Sequence, residues 1–539
     1  MKDMKAKYIL STIMVGTTLG LTSCADKLDL APIDYYGSTS YWKNDSQAEA
    51  YIDGLHSNMR SAEWTHNMVF GDLRGGQYKV GTTADGSSTD GGDIASQNFD
   101  AEHPGVSKFG NYFGYIANCN LAIARIEAAD YLADADKKYF LGIAYGLRAF
   151  YYFDLYRVYG GVPLRLGTEV IDGQINPAEL YMPRAKASEV MAQIKADLKK
   201  SLENFGDNAK FDPYGRGNKK GYWSKAATEC LAGEVYLWNA KVSIGDNKAN
   251  TADLAVAKAH LESVAKNYGL SLRPTFASVF DAANGKGNSE IVFAIRYAEG
   301  EATNYYRQYV YNIGTGQLNK NVYLEDGTLF DDPLQMAGAG GIQRYEYKEA
   351  LFNKFDKEDS RRLATFLPTY KKAADNSLTY WGTVVRKNIG IINSAGLRVF
   401  CGDIPYYRLS WVYLSLAEIA NMQDDKAAVE KYINDVRERA YGKNWADKFK
   451  FVAGDFTKNE LAILAEKDKE FVQEGQRWWD LCRMTYTKNG KHLVFMKEGS
   501  VDGTSPVLEE SESHKLLWPI DKNTLNNDDA LEQTPGYTK

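Results

Sequence analysis

One stretch, Phe140 to Val158, limits what this chain can become. Phe140, Ala144, Leu147, Tyr151, Leu155 and Val158 follow a 4-3-4-4-3 spacing, and Ile143, Phe150 and Phe153 form an adjoining stripe. The apolar arc is well wider than the ~100° stripe of a surface helix, so this helix must be covered on two sides. An inner helix of stacked hairpins meets that requirement. Its C-terminal half, Arg148 to Gly161, holds six aromatics in fourteen residues. Aromatic rings also stack on sugars, but a sugar platform needs one or two rings facing a wet groove. Six around a cylinder predict packing. Asp154 and Arg157 stand three apart on one face and are expected to pair. Gly160-Gly161, with Pro163 beyond, ends the helix.

Other amphipathic segments surround it. Asn44 with Gln47 starts a helix carrying Ala48, Tyr51, Leu55, Met59 and Ala62. Further helices are expected over Phe113 to Ala128, after Pro183, and behind Ser224 and Thr251, each read as an N-cap. Near the C-terminus they cover Arg408 to Met422, Lys426 to Ala440, and a long run from Thr457, where Thr457 and Glu460 read as a capping box. Gly54, Gly142, Gly146 and Gly233 offer places for close helix approach. The chain's 539 residues exceed the ~250–300 at which one core stops growing, so two lobes or an array are expected. Paired helices suggest tetratricopeptide-like hairpins, without a strict 34-residue period. From about Gly269 to Gly402 the helical pattern lapses: Glu290 to Ile295 reads as a strand, and Gly, Asn, Asp and Tyr become frequent. Glu63 to Gly110 is similarly irregular. The expected divisions are 1–23, 24–268, 269–402 and 403–539.

The first of these is a targeting segment. Lys2, Lys5 and Lys7 precede an apolar run from Tyr8 to Leu21, which is shorter than the ~20 residues of a membrane span and laid out as a secretory signal. Leu21-Thr22-Ser23-Cys24 resembles a bacterial lipobox, with Cys24 the lipidated first mature residue. Cys119, Cys230, Cys401 and Cys482 lie far apart with no C-x-x-C, which excludes the usual redox and metal motifs; a disulfide among them cannot be read from spacing. A net charge of -6 and the lack of a dense basic run argue against nucleic acid. Nor is there H-E-x-x-H, a P-loop or G-x-S-x-G. Asp85, Asp90 and Asp93 stand in a Gly/Ser-rich loop without EF-hand spacing, so calcium is conceivable there and a solvated loop is expected.

Gly146-Leu-Arg-Ala-Phe-Tyr-Tyr-Phe-Asp-Leu-Tyr-Arg-Val-Tyr-Gly-Gly-Val-Pro-Leu164 resembles the central signature of the SusD/RagB family of Bacteroidetes surface lipoproteins that bind nutrients. Cys24 to Pro32 resembles its mature N-terminus. Arg408 with Ala417-Glu418, and Ile433 to Ala440, resemble its C-terminal helix pair. EGQRWWDLCR, Glu474 to Arg483, resembles E-G-x-R-W-x-D-L-x-R, and Leu517 to Ile520 and Gln533 to Tyr537 resemble its ending. Lys467 stands where the family usually has Arg. The resemblance implies a mostly α, SusD-like fold: a tetratricopeptide-like hairpin scaffold with an irregular, loop-rich second lobe that contributes the site. It also implies an outer-membrane lipoprotein facing the cell exterior, which binds an oligosaccharide or polysaccharide and delivers it to a SusC-like, TonB-dependent barrel. No cofactor is implied.

Glu474 and Asp480 are the best carboxylate pair for a glycan hydrolase. On one helix they would lie ~9 Å apart along the axis but diverge by about a third of a turn. Arg477 stands between them, and a carboxylate held by Arg is a poor general acid. A structural ion ladder is therefore expected, with Trp478 and Trp479 as packing anchors, and no catalytic residue. Binding needs aromatic faces together with Asp, Asn and Arg on irregular backbone. Two segments supply them: Trp64 to Tyr78, with Asp72 and Arg74, and the residues after the strand, Arg296, Tyr297, Asn304, Tyr305, Tyr306 and Arg307. Tyr380-Trp381 is a third. The ligand candidates are thus Trp64, Asp72, Arg74, Tyr78, Arg296, Tyr305, Tyr306 and Trp381. The rival readings are a peptide-binding RagB-type relative, a hydrolase, and a lid with no ligand of its own.

Overall fold

The computed structural model describes residues 41–84, 90–104, 109–168, 180–217, 219–315, 318 and 321–538. The signal segment and Cys24 lie outside them, as do Asp85 and the side chain of Asp90; Asp93 is exposed.

Helices dominate. α1 (Asp45–Trp64) is capped as its sequence indicates: Asn44 Oδ1 accepts from the Gln47 amide at 3.0 Å. α2 (Phe109–Ala128) starts one turn before the expected Phe113. α3 (Asp134–Tyr159) carries the aromatic run, and every residue from Tyr139 to Tyr159 is buried. α4 (Ala187–Phe205), α5 (Lys225–Lys241) and α6 (Asp253–Asn267) follow. α3 is covered by α2 on one side and α4 on another, the two-sided cover that its wheel demands. The expected pair forms, with Arg157 Nη2 2.8 Å from Asp154 Oδ1, and Arg148 binds Asp197 of α4 through two bonds of 2.7 and 2.8 Å. Gly146 and Gly233 are close-approach points, since a Cβ there would run into the Trp223 indole and the Leu261 side chain respectively. Gly54, by contrast, faces open space.

The C-terminal helices are α7 (Leu409–Met422), α8 (Lys426–Tyr441), α9 (Phe456–Glu470) and α10 (Arg477–Arg483). Two expected caps are replaced. α6 begins at Asp253 with no side-chain cap from Thr251. α9 is capped by Asp455, whose Oδ1 accepts from Lys458 N at 2.8 Å. Thr457 instead donates to Tyr486 O at 2.6 Å, and buried Glu460 pairs with Lys241 at 2.9 Å. A buried cation outcompetes the local box for Glu460.

The long helix expected from Thr457 breaks after Glu470. Gln473 and Gly475 take φ of +63° and +69°, which ends α9 and turns the chain into α10. Glu474 therefore sits in a turn, and the single-helix geometry assumed for Glu474 and Asp480 does not apply. Arg477 does not bridge them. It pairs with Asp468, while Glu474 is held by Arg408 at 2.6 Å and by Lys387, and Asp480 by Lys467 at 2.7 Å and Arg483 at 2.6 Å. Both carboxylates are ion-paired, Glu474 through partners distant in sequence and Asp480 through nearer ones. Lys467 also reaches Glu418 at 3.3 Å.

The strands, all short, are β1 (Tyr78–Val80), β2 (Ile291–Ile295), β3 (Val322–Tyr323), β4 (Tyr345–Tyr347), β5 (Phe366–Lys372), β6 (Leu378–Val385), β7 (Ile391–Ile392), β8 (Arg398–Val399) and β9 (Ile404–Arg408). They form small antiparallel sheets: β1 with β4, β2 with β9, β5 between β3 and β6, and β7 with β8. The first of these joins the two irregular stretches, Tyr78 opposite Tyr347 and Val80 opposite Tyr345. One continuous core runs from Ala48 to Leu531. Cys119, Cys230, Cys401 and Cys482 are free and buried.

Candidate functional site

α1 passes at Trp64 directly into a π-helical turn, Thr65–Asp72. Wide turns of this kind recur at functional sites. α3 anchors this one: His66 Nδ1 lies 2.7 Å from Asp154 Oδ2, and the His66 ring stacks on Tyr406 at 4.6 Å. The buried aromatic helix thus fixes the turn that carries Asn67, Met68 and Asp72.

Facing the turn is a short 3-10 segment, Tyr305–Tyr309. Asn304 caps it by accepting from Tyr306 N at 3.0 Å and donates to Gly402 O at 2.9 Å. Tyr305 is 46% exposed, against a half-buried Trp64 with ring centroids 5.3 Å apart. Tyr345 and Tyr309 support Trp64 from behind, at 5.9 and 6.3 Å. At the nearby surface Arg60 pairs with Glu301 at 2.6 Å. Beneath the Trp64–Tyr305 pair is a cavity of about 10 Å³ lined also by Glu63, Asn67, Met68, Asp72, Tyr306, Tyr309 and Gln473.

The two acids of this cavity are buried and disinclined to ionise. Burial pushes the Asp72 carboxyl up to about 7, against the opposing pull of the Arg477 and Gly475 amides. Burial likewise raises Glu63, although Asn67 and Tyr297 hydrogen-bond to it, at 2.9 and 3.2 Å. The floor of the site is therefore polar, with burial working against the charged form of both acids.

The expected ligand residues divide. Trp64, Asp72, Tyr305 and Tyr306 line one cavity. Tyr306 is buried, its hydroxyl donating to Gln473 O at 3.1 Å. Tyr78 is also buried, in a stack with Tyr309, Tyr345 and Tyr347, its hydroxyl bonded to that of Tyr347, so it supports the site from within. Arg74 has to be withdrawn as a ligand residue. It has no exposed surface, and its guanidinium lies 3.8 Å from the Trp478 ring centroid and 4.8 Å from Phe99. Arg296 Nη1 approaches Gly217 O at 3.5 Å, and Arg296 is not among the residues lining the cavity under the Trp64–Tyr305 pair. Trp381, half-buried on β6, lies under Lys371 with Nζ 4.2 Å from its ring, a separate aromatic surface. Tyr380 packs on Phe352 and Tyr370. Among residues not anticipated, Tyr309 and Tyr345 could have been sought from the Tyr-rich irregular region. Gln473 fell inside an expected helix and gave no signal.

Among the described residues no group of three or more His, Cys, Asp or Glu side chains is placed to hold a metal ion, and no helix is long and apolar enough to cross a membrane. Residues 400–537 match the family model described as the SusD family, and residues 75–232 match one described as starch-binding associating with outer membrane. The chain is similar to a crystal structure of a SusD superfamily protein from Bacteroides fragilis, with 57% identity, a TM-score of 0.87, and coverage of 92% of this chain and all of that one. It is 24% identical to the SusD-like protein P38 of Formosa agariphila over 99% of this chain and the whole of that protein. It is 33% identical to the starch-binding protein SusD of Bacteroides thetaiotaomicron over 25% of this chain and 22% of that one.

Proposed function

The chain belongs to the SusD family, and on that premise we propose that it binds a glycan on the Trp64–Tyr305 surface and passes it on without chemical change. The carrying observation is the half-exposed Tyr305 ring braced by Trp64 on a rigid base. A sugar's C–H face stacks on such rings, and fixing the rings beforehand reduces the ordering cost of binding. The starch-binding description of the model matched at residues 75–232, and the starch-binding relative, support a glycan ligand. No paired acid and base is needed for capture. The best acid pair by sequence, Glu474 and Asp480, is tied to Arg408, Lys387, Lys467 and Arg483.

In this reading the mature protein is held at the outer membrane by a lipid on Cys24, faces outward, and hands its ligand to a SusC-like, TonB-dependent barrel. The lipobox-like Leu21 to Cys24 supports the anchor, and the family supports the barrel. Metabolic labelling with a fatty acid should mark the protein in cells and fail to mark Cys24→Ala; equal labelling of both contradicts the anchor.

Calorimetry against neutral oligosaccharides, acidic oligosaccharides and peptides tests the ligand class. Glycan binding without product formation is expected. Cleavage of a glycan, or binding confined to peptides, contradicts the reading.

A further inference from the structure

Gln473 sits at the bottom of the cavity under the Trp64–Tyr305 pair, and it is held there at a cost. Its backbone takes φ +63°, a conformation that side-chain-bearing residues rarely adopt and that clusters at ligand sites. Its amide N–H donates to Tyr347 Oη at 3.0 Å and its carbonyl accepts from Tyr306 Oη at 3.1 Å, so the backbone is clamped from both sides. The residue is only 4% exposed, yet neither its Nε2 nor its Oε1 has a hydrogen-bond partner among the described residues. Asn67 Oδ1, from the π-helical turn, is buried and unpartnered in the same cavity. A fold does not ordinarily leave a donor and two acceptors unpaired together, because each forgoes its bonds with water.

The cavity, about 10 Å³, admits roughly one water-sized group. A hydroxyl has that size, donates one bond and accepts others. It can accept from Gln473 Nε2 while donating to Gln473 Oε1 or Asn67 Oδ1. An anionic substituent, which can only accept, would face the unpartnered oxygens of Gln473 and Asn67 in a buried cavity whose lining holds no cation to offset its lost hydration. The walls run from exposed Tyr305 down to buried Gln473, so a ring stacked on Tyr305 has the cavity beneath it.

We propose that this cavity is a subsite for one uncharged hydroxyl of the sugar stacked on Tyr305, read by the Gln473 amide, and that it favours neutral over acidic glycans. The proposal rests on the platform reading and adds the specificity-determining residue to it. The probes are neutral linear gluco-oligosaccharides, the monodeoxy analogues of any that binds, and oligogalacturonate, titrated by calorimetry into the wild type, Gln473→Met and Tyr305→Ala. Gln473→Met keeps the side chain's length and removes its amide. It should weaken the neutral probe by about tenfold or more, as a site loses affinity when a buried hydrogen-bonding group goes unmatched. One monodeoxy analogue should show the same loss on the wild type and no further loss on Gln473→Met. Should Gln473→Met fail to fold, Gln473→Glu, which exchanges the donor for a charge, is read in its place, and it must weaken the same probe.

Affinity of Gln473→Met within about twofold of wild type, where Tyr305→Ala has lost binding, overturns the subsite and leaves the platform standing. Unchanged binding in Tyr305→Ala overturns both, as does a panel in which no glycan binds. Tighter binding of oligogalacturonate than of the neutral probes overturns the subsite. So does a crystal structure of the complex in which an ordered water still fills the cavity.

Discussion

At the scale of single residues, burial separates what a side chain can do from what its type suggests. Arg74 and Tyr305 are equally plausible glycan residues by type. The first is stacked on Trp478 with no surface, and the second is half open beside Trp64. Sequence alone could not separate them, because two of the rings that enclose Arg74, Trp478 and Trp518, lie over 400 residues away. Asp72 offers a test of the site's polarity. Its carboxyl is raised from the usual carboxylate range to about 7. The native state thus disfavours the ionised form: stability from this group is complete below the unfolded value near 4, declines as pH rises, and is lost above about 7. Asp72→Asn, which cannot ionise, should gain on the wild type as pH rises from 4 to 7, by on the order of a few kcal/mol in urea unfolding, and level off above. A difference independent of pH would show that Asp72 ionises freely.

At the scale of elements, the helices were legible and their punctuation was not. The wheel of Phe140 to Val158 located α3 and its two-sided cover, and Asn44 and Ser224 cap α1 and α5 as read. The break between α9 and α10 was missed, because Gln473 adopts a positive φ that a glutamine does not advertise and only Gly475 signals. Arg408, at the end of β9, shows why that turn forms. Its guanidinium reaches Glu290 at 2.9 Å, Glu470 at 2.6 Å and Glu474 at 2.6 Å, tying strand, helix and turn together. Burial would raise Glu470, but Arg439, Arg408 and Arg361 overcome it and hold the carboxyl well below its ordinary range. Arg408→Met should destabilise the protein by roughly 3–5 kcal/mol, since it strands buried carboxylates. Chemical unfolding that shifts by under about 1 kcal/mol would contradict that account. Gly233→Ala, whose new methyl meets Leu261, should lower the melting temperature without changing glycan affinity.

At the scale of the whole molecule, the first and last described helices share one core, which reaches from Ala48 to Leu531. Trp518 donates its amide to Val158 O at 2.7 Å, and its ring stacks on Phe99 at 4.9 Å. Removing residues 510–539 should therefore destabilise the N-terminal helices, seen as loss of the cooperative melt. A truncated chain that melts like the full one would contradict a shared core. The same long-range order builds the candidate site. α1, the π-helical turn, the 3-10 segment at Tyr305 and the turn at Gln473 meet from three distant parts of the sequence; β1 pairing with β4 ties the first irregular stretch to the second, and the Gln473 amide donates to Tyr347 Oη of β4. The irregular stretches could be recognised as the place to look, whereas the meeting of Trp64 with Tyr305 could not. The most direct measurement is a calorimetric titration of neutral oligosaccharides into the wild type, Trp64→Ala, Tyr305→Ala and Trp381→Ala. Binding by the wild type, lost in Trp64→Ala and Tyr305→Ala while Tyr305→Ala keeps its melting temperature, is the predicted result. Full affinity in both of those variants would contradict the site.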